Sequence, residues 1–105
     1  MDVIGIAVSG LRAASAGLSV QAGNVANQQS DGFKAKRADL VAEASGGVRV
    51  AGIVEDPTPA GPGGSNVDLA TEAVQGMNLE VMYKANLKVL RTQSELDKVT
   101  LDLKG

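Results

Sequence analysis

The chain has no cysteine, no histidine and no tryptophan, and it holds a single phenylalanine, Phe33, and a single tyrosine, Tyr83. The first two absences remove disulfides, thiol nucleophiles, imidazole acid–base chemistry and the usual zinc sites. Aromatic side chains bury the largest areas, so a core in these 105 residues must be built from Ala, Val, Leu, Ile and Met. Such residues seal thin seams between helices more readily than they fill a thick globule. Net charge is also small, with ten basic and twelve acidic residues. A balance of −2 exerts no bulk pull toward nucleic acid or an anionic membrane. No cleavable signal sequence is expected, because Asp2 sits where a basic stretch belongs and Arg12 interrupts the apolar residues that follow. No unbroken run approaches the ~20 apolar residues of a membrane span, so direct membrane insertion is not expected either.

What is present begins with a heptad pattern. Ile4, Leu11, Leu18 and Val25 are spaced seven apart, and Met1, Val8, Ser15 and Ala22 precede each of them by three. This is an a/d seam, which asks for a left-handed supercoil against another helix. Gly10, Ala13, Ala14, Ala16 and Gly17 flank it and let a partner backbone come close. Gly5, Gly10, Gly17 and Gly23 each cost a helix about 0.5–1 kcal/mol relative to Ala, so the segment needs a partner to hold its shape.

From Phe33 the period changes to local alternation in "FKAKRADLVAEA" and "GVRVAGIVE", separated by Ser45-Gly46-Gly47. That predicts a two-stranded hairpin. A Pro/Gly loop, Glu55 to Asn66, follows. Asn66 or Asp68 then caps a final helix that runs to about Leu103, roughly 50 Å at 1.5 Å per residue. Its main apolar stripe is Ala70, Val74, Met77, Val81, Ala85, Val89, Thr92, Leu96, Val99 and Leu103. A second stripe, Leu79, Tyr83, Leu87 and Leu90, occupies an adjoining face. One partner helix covers one stripe and leaves the other wet, so more than one neighbour is expected.

Catalytic patterns are missing. "GPGGSN" lacks the Gly-Lys-Ser/Thr of a phosphate loop, and Asp68 and Glu72 would stand where the anion should go. Glu55 and Asp56 are adjacent and point apart on an extended chain. Lys34, Lys36 and Arg37 beside Phe33 form one short basic cluster with no stacking platform after it, so nucleic-acid binding is not expected. Ser9, Ser15, Ser19 and Ser30 have no histidine to activate them. No cofactor or metal is expected, and an enzyme is not.

The stretch "SGLRAASAGLSVQAGNVANQQSDGFKAKR" resembles the N-terminal motif of the flagellar axial proteins, the rod and hook family. The residues that carry it are Ser9-Gly10-Leu11, Asn24-Val25-Ala26-Asn27 and Ser30-Asp31-Gly32-Phe33. "NVDLATE" and "YKANLKVL" are similar to the family's C-terminal helix, and "GVRVAGIVEDPTP" is similar to a segment of its proximal-rod branch. Gly23 stands in place of the first Asn of the family's pair, Gln28-Gln29 in place of Ala-Asn, and the stretch after Pro59 is short. The resemblance implies a non-enzymatic building block of the basal-body rod in the periplasm. It implies export through the flagellar type III apparatus without a cleaved signal, and partners that are further copies and other axial proteins.

The expected architecture is one mainly α domain. Residues 1–30 form an N-terminal axial helix, 31–66 a junction with hairpin and loop, and 67–105 a C-terminal axial helix packed against the first as a coiled-coil-like hairpin. The expected assembly interface is Ile4, Val8, Leu11, Leu18, Val25, Val74, Met77, Val81, Leu87, Leu90, Leu96, Val99 and Leu103. The expected junction motif is Asn24, Ala26, Asn27, Gly32 and Phe33, with the asparagines bonding the last carbonyls of the first helix, Gly32 turning and Phe33 anchoring the returning chain. Self-association, as a homo-oligomer in isolation, is the expected behaviour; the alternative is a helical adaptor, or an export-related protein, that holds one fixed partner and does not polymerise.

Overall fold

Asp2 starts the first helix: its carboxylate accepts the Gly5 N–H at 2.7 Å, satisfying one of the donors a helix N-terminus leaves unpaired. Helix α1 spans Val3–Ala26, strand β1 Lys36–Ala42, strand β2 Val48–Glu55 and helix α2 Leu69–Lys104. These come from a computed structural model that describes residues 1–104. Asn27 ends α1, donating from its side chain to the Gly23 carbonyl at 2.9 Å. Asp68, not Asn66, caps α2, accepting the Ala70 N–H at 2.9 Å.

The strands form an antiparallel hairpin whose register runs from Lys36 opposite Glu55 to Ala42 opposite Val48. A bulge at Asp39/Leu40 leaves Ala51 without a counterpart and bends the pair. The turn falls where Ser45-Gly46-Gly47 predicted it. Gly46 and Gly47 have φ of 92° and 88°, a region that side-chain-bearing residues avoid. The hairpin lies along α1. Its tip meets the start of α1, where the Val48 N–H donates to Ser9 Oγ at 3.1 Å, and its root meets the end of α1 at Asn24.

The two helices pair antiparallel through small residues. Ala7, Gly10, Ala14, Gly17, Gln21 and Asn24 run along α1 at alternating steps of three and four, and Glu72, Gly76, Leu79, Tyr83, Asn86 and Leu90 do the same on α2. Gly10 receives Asn86, Gly17 receives Leu79, and Gly76 receives Gln21. A Cβ at Gly17 would stand 2.8 Å from a Leu79 methyl, and one at Gly10 would stand 2.5 Å from the Asn86 amide nitrogen. Each glycine is a socket for the larger side chain opposite. Carried to its end, this register sets Val3 level with Gln93, so residues 94–104 of α2 extend past α1.

The interior is correspondingly thin. Among the described residues the buried apolar side chains are alanines, Ala7, Ala13 and Ala14, while the Val, Leu, Ile and Met expected to build a core stay partly or largely exposed. The molecule measures 68 × 24 × 15 Å with a radius of gyration of 18.0 Å, against about 13 Å for a compact chain of this length. One expectation needs correcting. Over an 18-residue window α1 has a mean hydropathy of 1.6 and is long and apolar enough to cross a membrane by length and composition. Counting unbroken apolar runs missed this, because the Gly and Ser that interrupt them are only weakly polar and Arg12 is the only charge on the helix.

Candidate assembly interface

The main stripe of α2 faces away from α1. Positions 72, 79, 86 and 90 point inward, and at 3.6 residues per turn positions 74, 77, 81, 92, 96, 99 and 103 fall about half a turn round the helix. Burial agrees. Val74, Met77, Val81, Leu96, Val99 and Leu103 are all more than half exposed, with Val81 at 66%. Leu87 and Leu90 belong to the second stripe and are half-buried on the α1 side. On α1, Ile4 and Val25 are exposed while Val8, Leu11 and Leu18 are half-buried. Their series occupies a flank of α1 beside the small-residue face. Apart from Leu87 and Leu90, the expected interface residues therefore form two separate patches in one molecule, on the far side of α2 and the free flank of α1. The two patches do not face each other across the intramolecular seam.

A polar latch closes the other end of the helix pair. Asn24, 1% exposed, donates from Nδ2 to the Lys36 carbonyl at 2.7 Å and to Glu72 Oε1 at 3.0 Å, and its Oδ1 accepts the Lys36 N–H at 2.8 Å. Gln21 donates to the Glu72 carbonyl at 2.9 Å. One asparagine thus joins α1, β1 and α2. Asn24, expected to bond the last carbonyls of α1 and nearby backbone, bonds the Lys36 backbone and Glu72, while Asn27 bonds the Gly23 carbonyl. Among the described residues, only glycines have positive φ, so both asparagines keep ordinary backbone conformations. Ala26 is exposed at the helix end. Gly32 turns the chain at φ 73°. Phe33 is half-buried, with Lys36 Nζ 5.7 Å from its ring centroid and its carbonyl accepting the Asn66 N–H at 3.1 Å.

Asn66 organises the loop. Its Oδ1 accepts the Ala35 N–H at 2.6 Å and its Nδ2 donates to the carbonyls of Asp56 and Thr58 at 3.2 and 2.7 Å. Beside it, the backbone and side-chain hydrogen bonds of Thr58, with Arg37 and Lys34 nearby, hold the Asp56 carboxyl below the usual aspartate range. The groove between hairpin root and α2, about 700 Å³, is lined by Asp39, Glu55, Asp56 and Glu72 among others. Its one hydroxyl is Thr71, and no three carboxylates among the described residues converge on a metal position.

The model for the flagellar basal body rod FlgEFG protein C-terminal region matches residues 63–103, which hold Asn66, Asp68, Glu72 and nearly all of α2. The flagellar basal-body rod protein FlgC of Yersinia enterocolitica is 35% identical over 129 aligned positions, covering 98% of this chain and 96% of the relative. FlgC of Salmonella typhimurium and of Escherichia coli O157:H7 are each 33% identical with the same coverage. The chain belongs to the FlgC family of flagellar basal-body rod proteins. It is structural and not an enzyme. The alignments with FlgC span 129 positions although the chain has only 105 residues, so these relatives carry at least about two dozen residues with no counterpart here. Glu72, Gln21 and Asn86 are polar residues of the intramolecular seam that the hydrophobic pattern missed, because it ranks positions by apolar size.

Proposed function

We propose that this chain is a structural subunit of the bacterial flagellar basal-body rod that assembles through its terminal helices. The observation that carries this reading is the long apolar stripe on the outward face of α2 in a member of a rod-protein family. In the rod, Val74, Met77, Val81, Leu96, Val99 and Leu103 meet helices of neighbouring subunits, either further copies or other axial proteins. Ile4, Val8, Leu11, Leu18 and Val25 offer those neighbours a second face, and Leu87 and Leu90 contribute their exposed edges. Burying each large side chain contributes about 1.5–3 kcal/mol, enough in aggregate to stabilise helices that are weak alone. The same contacts cover α1, which then needs no bilayer. The subunit leaves the cell through the flagellar type III apparatus, without a cleaved signal, and the isolated chain forms homo-oligomers.

The experiment is deletion of the gene in its host, with electron microscopy of basal bodies and complementation by the wild-type and Val81→Asp chains. Loss of rods and motility, restored by wild type and not by the variant, is the expected result. Complete rods in the deletion strain count against the proposal. A single small oligomer whose mass does not change with concentration points to the adaptor reading.

A further inference from the structure

Residues 94–104 have no α1 beside them, and Leu96, Val99, Leu101 and Leu103 on this segment are 54–82% exposed. A helical end of that kind is marginal in water without cover. Elsewhere on the molecule, Leu11, Arg12, Ser15, Ala16 and Ser19 of α1 and Tyr83 of α2 line a shallow groove of about 510 Å³ to which the hairpin contributes nothing. Leu11, Ser15 and Ser19 follow at steps of four, as do Arg12 and Ala16, so the floor is two rows of mostly short side chains that admit the ridge of another helix. The groove is about 12 Å long from Leu11 to Ser19, and the free segment is about 16 Å long.

Charge matches as well as length. Arg12 is the only basic residue of α1 and forms no ion pair among the described residues. Glu95 and Asp102, two turns apart, border the Leu96–Val99–Leu103 stripe on one edge and are likewise unpaired, with Lys98 further round from the stripe. Asp97, on the other side, is engaged by Gln93 at 3.0 Å. The segment cannot reach the groove of its own chain, because it projects beyond Val3 while the groove begins two turns inside α1. The occupant is a second copy.

We propose that residues 94–104 of one copy dock in the Leu11–Tyr83 groove of a second copy, with Arg12 facing Glu95 and Asp102. The contact rests on the reading of the chain as a self-assembling rod subunit and specifies one of its joints. Because the chain lacks cysteine, the joint can be tested cleanly. Full-length Ser15→Cys and Val99→Cys chains, both at exposed positions, are mixed and treated with a short bismaleimide, with circular dichroism checking that each variant keeps its helices and sedimentation reporting association. The expected result is a cross-link between unlike copies, reduced about tenfold when Arg12→Glu is added to the Ser15→Cys chain. It is restored when Glu95→Arg and Asp102→Arg are added to the Val99→Cys chain. Association without the cross-link, or a cross-link indifferent to Arg12→Glu, overturns this joint alone. Absence of any association by the wild-type chain overturns the joint and the assembly reading together.

Discussion

Asn24 and Glu72, 48 residues apart in sequence, meet as a buried hydrogen-bonded pair at 3.0 Å that ties the last turns of α1 to the first turn of α2. The Glu72 Oε2 beside it has no partner. Asn24→Ala leaves Glu72 Oε1 and the Lys36 backbone without their partner and is expected to lower stability by about 1–3 kcal/mol. Glu72→Gln keeps an acceptor for Asn24, so its effect is expected within about 1 kcal/mol. Urea unfolding followed by circular dichroism measures both, and equal losses would refute the latch.

The sockets of the helix seam make a second contrast. Gly23 has open space where a Cβ would go, so Gly23→Ala is expected to stabilise by about 0.5–1 kcal/mol through helix propensity. Gly10→Val drives two methyls into the Asn86 amide and is expected to destabilise by about 1–3 kcal/mol. Thermal melting of the two variants should move in opposite directions.

The two faces of α2 should separate folding from assembly. Val81→Asp on the exposed face is expected to leave monomer stability within about 0.5 kcal/mol while abolishing association in sedimentation experiments. Leu79→Asp places a carboxylate against Gly17 and is expected to unfold the pair. Unchanged oligomers from Val81→Asp would remove the outward stripe from the interface.

Asp56 gives the sign of a pH effect. Its carboxyl is held below the usual range by Thr58, so its contribution is fully present above the unfolded aspartate pKa and is lost as pH falls through the lower folded value. Carbon-detected NMR titration should find Asp56 protonating after most other aspartates. Thr58→Pro, which removes the N–H, should return it toward the ordinary range.

Much of this fold is legible in the sequence because the elements differ in period. The seven-residue repeat of α1, the alternation around Val48 and Val50 and the double glycine of the turn each allow one local structure. Which faces meet is less legible. Apolar size drew attention to Ile4, Leu11, Val74 and Val81, whereas the chain pairs with itself through Ala7, Gly10, Ala14 and Gly17. Close approach of two backbones depends on what is absent from a side chain, and hydropathy does not register that. The regular three-and-four spacing of these small residues, ending in Asn24, is the signal that could have found the seam. Asn66 illustrates a further limit: as a cap candidate it was indistinguishable from Asp68, and its clasp on Ala35, Asp56 and Thr58 depends on chain segments brought together only by folding.

That clasp has a consequence for how such subunits diversify. Because one amide fixes both the exit from the hairpin and the entry to α2, the stretch between Thr58 and Ser65 behaves as a port whose two rims are already bolted down. A change in its length there is expected to leave the helical chassis beneath aligned, because the clasp holds both rims independently of what lies between them.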